Sequence, residues 1–322
     1  MRKLICTVLA LLLIFPLITG CASSNKNDKI KIVCTMFPQY DWVKNILGDS
    51  KSVELSLIID NGTDPHSYQP TTADIMNISN CNMLVTLGGD SEKWVSEALE
   101  STPNTNIKNI KLAEIEGMTL HDISSSSHDH DENEHIHGAF DEHIWLSLKN
   151  AMTAVSALTD EICKLDESNA STYRQNADAY LLSLSNLDRE YRQTVNEVPK
   201  ENRFMLFADR FPFVYLLYDY GIDYQAAFDG CTTDVDADFD TVIKLVSKAD
   251  EQGVSHVVIT ESSDGSLAQT VVSSAKKKDV KIITMNSLQK VSKKDAENGV
   301  SYISVMEENL SALKTALGIK GE

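Results

Sequence analysis

ESNASTYRQNADAYLLSLSNLDREYRQTVNEV, residues 167–198, is the stretch on which the architecture turns. Its apolar positions Tyr173, Ala177, Tyr180, Leu184, Leu187, Tyr191 and Val195 step by four, three, four, three, four and four residues. That alternation draws one stripe along an α-helix. Pro199 follows and stops it, because proline lacks the N–H that would continue the ladder. At about 1.5 Å per residue the helix runs roughly 45 Å, long enough to link two lobes and brace both.

Short β-rich runs lie on either side of it. Lys31–Met36, Val53–Ile59 and Met83–Leu87 precede it; Phe204–Phe207, Val257–Thr260 and Lys281–Met285 follow. Strand-like runs alternating with helical patterns indicate βαβ units and parallel sheets. The expected fold is α/β, with two lobes, each a small parallel sheet flanked by helices, joined by one long rigid helix. The N-terminal lobe is placed at residues 30–166, the connecting helix at 167–198 and the C-terminal lobe at 199–322.

Residues 1–20 form an address label. Arg2 and Lys3 precede the apolar run Leu4–Leu17, which is too short to span a bilayer comfortably and reads as a signal peptide. Ile18-Thr19-Gly20-Cys21 then resembles the lipobox of bacterial lipoproteins, which makes Cys21 the lipidated first residue and 21–29 a tether. The expected location is extracytoplasmic, anchored by lipid to the cell membrane. Cys34, Cys81, Cys163 and Cys231 remain, too widely spaced for a paired CxxC site; disulfides and buried thiols are both open to them.

The 322 residues carry 47 acids against 29 Lys and Arg, a formal charge of −18. No basic footprint exists for nucleic acid, and the acidic excess suits a protein that handles cations. Six of the eight histidines fall between residues 121 and 143, together with seven acids. Within this polar loop (121–142) the pairs His128/His130 and His135/His137 offer ligands suited to Zn2+ and similar ions. Without rigid geometry those sites are expected to be weak and exchangeable. His143 stands apart, where the loop enters the apolar segment Ile144-Trp145-Leu146 and its surroundings can hold it. His66, in Gly62-Thr63-Asp64-Pro65-His66-Ser67-Tyr68, follows a strand, and strand-end loops are where α/β folds gather ligands.

Several stretches together resemble one family: the metal-binding lipoproteins of zinc and manganese ABC importers, the cluster A-I solute receptors. They are Met36-Phe37-Pro38-Gln39-Tyr40-Asp41-Trp42, the His66 motif, Leu87-Gly88-Gly89 ahead of Trp94, the His-rich loop, His143-Ile144-Trp145-Leu146 and Asp219-Tyr220-Gly221-Ile222. The resemblance implies a monomeric receptor that captures a divalent metal between its lobes and delivers it to an importer permease, with His66 and His143 as ligands. It implies no catalysis.

The second lobe departs from the pattern. Ala208 falls where the family places a third His or a Glu, and Asn286 falls near its late Asp. Asp209 and Glu261 are the remaining strand-end carboxylates and the candidate ligands there, with Cys231 a distant option and His256 a structural residue. Two His with a carboxylate and an amide oxygen is a harder set, more hospitable to Mn2+, whereas the His-rich loop favours Zn2+. Zn2+ is the preferred cargo, its affinity falling as protons compete for the imidazoles.

Two other functions find less support in the residues. An exported zinc hydrolase needs an open metal position with a general base, and neither His-Glu-x-x-His nor Gly-x-Ser-x-Gly occurs. An adhesin finds no adhesive surface in the sequence to support it, and a divergent receptor that has lost tight metal binding is the alternative to which Ala208 points.

Overall fold

The computed structural model describes residues 29–60, 62–122, 140–228, 230 and 237–319. Four short parallel strands make the first sheet: β1 (Ile30–Cys34), β2 (Val53–Leu57), β3 (Met83–Thr86) and β4 (Lys108–Lys111), in the order β2-β1-β3-β4. Parallel neighbours require crossovers. These are α1 (Phe37–Leu47), α2 (Thr72–Ser79) and α3 (Lys93–Ser101). The second sheet repeats the plan with β5 (Phe204–Phe207), β6 (Asp223–Ala226), β7 (His256–Thr260) and β8 (Lys281–Met285), in the order β6-β5-β7-β8. Its crossovers are α6 (Val214–Tyr220), α7 (Phe239–Gln252) and α8 (Ser266–Ser274), followed by α9 (Lys293–Glu297) and α10 (Tyr302–Ala316). Between the lobes run α4 (Leu148–Leu165) and α5 (Ala170–Asn196).

α5 is the connector. It begins after a single 3-10 turn at Glu167–Asn169, later than the sequence placed it, and buries Tyr173, Ala177, Tyr180, Leu184, Leu187, Tyr191, Thr194 and Val195. The turn forms because Asp166 draws the chain into side-chain bonds. Its carboxylate accepts from Ser52, Ser168, Asn169 and Tyr173. Burial pushes that carboxyl up, but these four donors outweigh it and hold it down at about 2.

Polar tips along the buried stripe fasten α5 to both lobes. Asn176 donates to the Ile46 carbonyl and Tyr180 Oη to Asp41 in the first lobe. Tyr191 Oη donates to the Met306 carbonyl in the second, at 2.6 Å. Asp41 also accepts the backbone N–H of Tyr302, and the Trp42 and Tyr302 rings meet edge-on at 5.3 Å. One hydrophobic core therefore runs through the first lobe, the connector and the facing half of the second lobe. A smaller core of Leu206, Ala208, Leu245, Val257, Val271 and Val280 packs on the other face of the second sheet.

Cys34, Cys81 and Cys163 are buried free thiols, while Cys231 and Cys21 lie outside the described residues. No helix among the described residues is long and apolar enough to cross a membrane.

Candidate metal centre

His66 is carried on a 3-10 turn, Pro65–Ser67, that follows β2. Proline presets the φ of the first position, and Asp64 caps the turn by accepting the His66 N–H at 3.0 Å on Oδ1. Gly62 enters the turn at φ +73°, and a Cβ there would lie 3.5 Å from the Lys290 carbonyl of the second lobe. The turn therefore faces across the cleft.

His143 comes from a different segment and is 2% exposed. Its backbone N–H and its ring Nδ1 both meet Asp141 Oδ1, each at 2.9 Å. Nδ1 donating to a carboxylate fixes the tautomer and leaves the Nε2 lone pair for a ligand. Asp141 is held in turn: its carbonyl accepts from Tyr215 Oη at 2.5 Å, and that oxygen accepts the His121 N–H at 3.1 Å. On the other side Glu142 accepts from the backbone N–H and hydroxyl of Ser91. Glu142 lies so close over Gly89 that a Cβ there would run into its carboxyl group. This close approach accounts for the second glycine of Leu87-Gly88-Gly89.

The His66 and His143 rings meet with centroids 5.5 Å apart, tilted by 49°. Among the described residues, His66 Nε2 is buried with no hydrogen-bond partner. A buried ring nitrogen in that state carries a desolvation cost that a ligand would relieve.

The second lobe supplies a group that sequence reasoning missed. Gln289 Nε2 lies 3.2 Å from His143 Nε2, and Gln289 Oε1 lies 3.0 Å from Ser287 Oγ. Ser287 Oγ also donates to Glu261 Oε1 at 2.7 Å. One hydroxyl proton cannot serve both acceptors. An amide's oxygen and nitrogen are distinguished only by such networks. As placed, Gln289 Nε2 donates to the His143 Nε2 lone pair that the Asp141 bond leaves free. Turned over, the amide would donate to Ser287 and present its oxygen to an ion bound at that lone pair.

The segment bearing it is tightly braced. Asn286 Oδ1 accepts the Leu288 N–H, Asn309 brackets the Asn286 backbone at 2.7 and 2.8 Å, and the Ser287 carbonyl accepts from Trp145 Nε1. Leu288 is buried at φ +64°, a left-handed conformation that costs a branched residue energy. That turn sends Gln289 back toward His143.

The second-lobe carboxylates expected as ligands are engaged in hydrogen bonds within their own lobe. Asp209 Oδ2 accepts the N–H and hydroxyl of Thr260, and its Oδ1 accepts the Arg210 N–H. Glu261 clasps the N–H and hydroxyl of Ser287. Among the described residues no group of three or more His, Cys, Asp or Glu is placed to hold a metal. The structure thus joins His66 to His143 and leaves Asp209 and Glu261 bracing their own lobe. Both carboxylates sit beside strand-end hydroxyls that satisfy them, which residue type alone does not reveal. Ala208 is buried in the strand end, its N–H on Val258. Asn286 serves the turn. His256 opens β7 beside Ser255, its imidazole held below the usual range by burial and by Lys281 and Lys277. His128, His130, His135 and His137 lie outside the described residues.

The zinc-uptake complex component A periplasmic family matches residues 32–316. The chain belongs to that family. Within the family, the high-affinity zinc uptake system protein ZnuA of Bacillus subtilis is 31% identical over 315 residues, 95% of each chain. The zinc-binding lipoprotein AdcA of Streptococcus pneumoniae R6 is 29% identical over 323 residues. That alignment spans this chain fully but only 62% of AdcA's length. Among solved structures, the metal-dependent lipoprotein YcdH of Bacillus subtilis superposes with a TM-score of 0.73 at 27% identity, over 89% of this chain and 99% of its own. The Zn(II)-bound ZnuA-like domain of Streptococcus pneumoniae AdcA does so at 0.71 and 26%, over 90% and 99%. The two-lobed α/β fold expected from the sequence is the fold these family members share.

Proposed function

We propose that this chain is an extracytoplasmic receptor that captures a divalent metal ion, Zn2+ before Mn2+, between its lobes and hands it to an ABC-type importer. The observation that carries the reading is the meeting of His66 and His143 from separate segments, 5.5 Å apart between ring centroids, with the buried Nε2 of His66 unpartnered among the described residues. Family membership and the names of the zinc-binding relatives support the choice of ion.

In this reading His66 and His143 bind as neutral imidazoles and Gln289 adds an amide oxygen from the second lobe. Asp209 and Glu261 act at one remove, Glu261 by aiming the Ser287–Gln289 segment. Asp141 supplies the charge behind His143 and raises its basicity. The protein binds and releases its cargo and transforms nothing. Cys21 anchors it by lipid, residues 21–29 form the tether, and His128, His130, His135 and His137 gather metal from outside.

The test is calorimetric titration of Zn2+ and Mn2+ into the chain from Asn25 onward. A second version would lack residues 123–139 and keep His121, which packs against Tyr215 and Tyr218. One tight equivalent that survives the deletion, and disappears in His66→Ala and in His143→Ala, is expected. Binding that vanishes with the loop alone overturns the reading.

A further inference from the structure

The turn that carries His66 is tied across the cleft by an ion pair. Arg210 Nη1 meets Asp64 Oδ2 at 2.9 Å, and the other oxygen of that carboxylate caps the His66 N–H. Both side chains are largely shielded, at 32% and 18% exposure. Arg210 is itself placed firmly, its N–H on Asp209 Oδ1, while Asp209 Oδ2 is fixed by Thr260. A guanidinium is therefore built into the cleft beside the turn that presents a metal-binding imidazole. The donors gathered there, two imidazoles and an amide, are neutral. A fixed positive charge near a dication opposes it, and partial burial weakens the solvent screening that would hide the effect.

We propose that Arg210 is a specificity-determining residue of the cleft. By occupying the Asp64 carboxylate two residues from His66, it holds the affinity for dications below what the same histidines would otherwise give, and so keeps bound metal exchangeable. This rests on the receptor reading and adds to it a residue that sets the charge the site accepts. Neither the third-ligand position expected at Ala208 nor the carboxylate of Asp209 performs this task.

The two charges make opposite predictions. Arg210→Gln removes the positive charge and keeps a donor for Asp64; it leaves the negative charge of the carboxylate unopposed by Arg210 on the turn that carries His66. Asp64→Asn keeps the Oδ1 that caps the turn but removes the negative charge that faces the guanidinium there. Zn2+ affinity would be measured by chelator competition on the full mature chain, in wild type, both single variants and the double variant, at low and high salt. Thermal melts would confirm that each variant folds. Arg210→Gln is expected to bind Zn2+ about tenfold tighter, Asp64→Asn about tenfold weaker, and the double variant near wild type, with the differences shrinking in high salt.

A tie that matters only for structure would weaken binding in both single variants, and that result overturns the proposal. The receptor reading fails separately, if wild type and His66→Ala bind alike. No tight wild-type binding, with tight binding appearing in Arg210→Gln, supports the proposal. No tight binding in any of the four chains overturns it together with the receptor reading.

Discussion

Asp141 Oδ1 receives two bonds from a single residue, the backbone N–H and the ring Nδ1–H of His143, each 2.9 Å long. The carboxylate therefore sets the position of the segment and the orientation of the ring together. Asp141→Ala is expected to lower Zn2+ affinity 10- to 100-fold, in the range for lost partners of ligating histidines, while Asp141→Asn keeps an acceptor and loses less. Competition titration checks this; equal affinities in the three chains would show that His143 is held by something else.

Gln289 gives a prediction with the opposite sign. A carboxylate at the same place would bring negative charge to a donor set that is otherwise neutral. Gln289→Glu is expected to tighten Zn2+ binding at least tenfold, and Gln289→Ala to weaken it a few-fold. A Gln289→Glu variant with unchanged affinity would place this side chain outside the metal shell.

Glu92 provides a pH signature away from the metal. Its carboxyl is pushed up to about 7, chiefly by burial and further by Glu142, against the donors Thr35, Gly88 and Leu87. Between its ordinary 4.5 and about 7 the folded chain keeps a proton that the unfolded chain has released. Stability from this group is fully present below 4.5 and is lost as pH rises through 7. Glu92→Gln can still accept the Leu87 and Gly88 amides and donate to Thr35, whose own proton turns to Gln39 Oε1 at 2.9 Å. The variant is expected to lose the pH slope in this window and to gain on the order of 3 kcal/mol at pH 8. Urea melts from pH 5 to 8 measure it, and parallel curves for the two chains would refute it.

The connector can be tested by its core. Leu184 is fully buried on the α5 stripe, and Leu184→Ala should cost about 2–5 kcal/mol, as buried truncations do. Tyr215→Phe removes the hydroxyl that bridges His121 and Asp141 and should cost about 1–3 kcal/mol, because the partly buried His121 N–H loses its acceptor and the Asp141 carbonyl its donor. Denaturant melts report both. The Tyr215 variant should also lose metal affinity, which the Leu184 variant should keep.

Much of this was legible beforehand. The α5 stripe was written in its spacing, and six strands announced themselves through β-branched and apolar runs. β4 and β6 did not, because Lys108-Asn109-Ile110-Lys111 and Asp223-Tyr224-Gln225-Ala226 are sheet-edge strands, each with one buried side chain. The approach of His66 to His143 was legible because imidazole beside a constrained segment is informative in itself. Gln289 was not, because a glutamine reads as surface unless the left-handed Leu288 is known to turn it inward. The engagement of Asp209 and Glu261 was not legible either: a strand-end acid looks available until its hydroxyl partners are placed.

The shared strand order of the two sheets has a consequence for where a ligand can sit. In each sheet the chain crosses in opposite directions from its first strand, leaving a crevice between the carboxyl ends of β1 and β3 and another between those of β5 and β7, the usual binding place in open α/β sheets. Here each crevice is closed by an acid of the protein. Glu92 laces Thr35, after β1, to Leu87, after β3. Asp209, just after β5, laces to Thr260 at the end of β7. Among the described residues both crevices are laced from within, which directs a guest toward the space between the halves, where His66 and His143 meet.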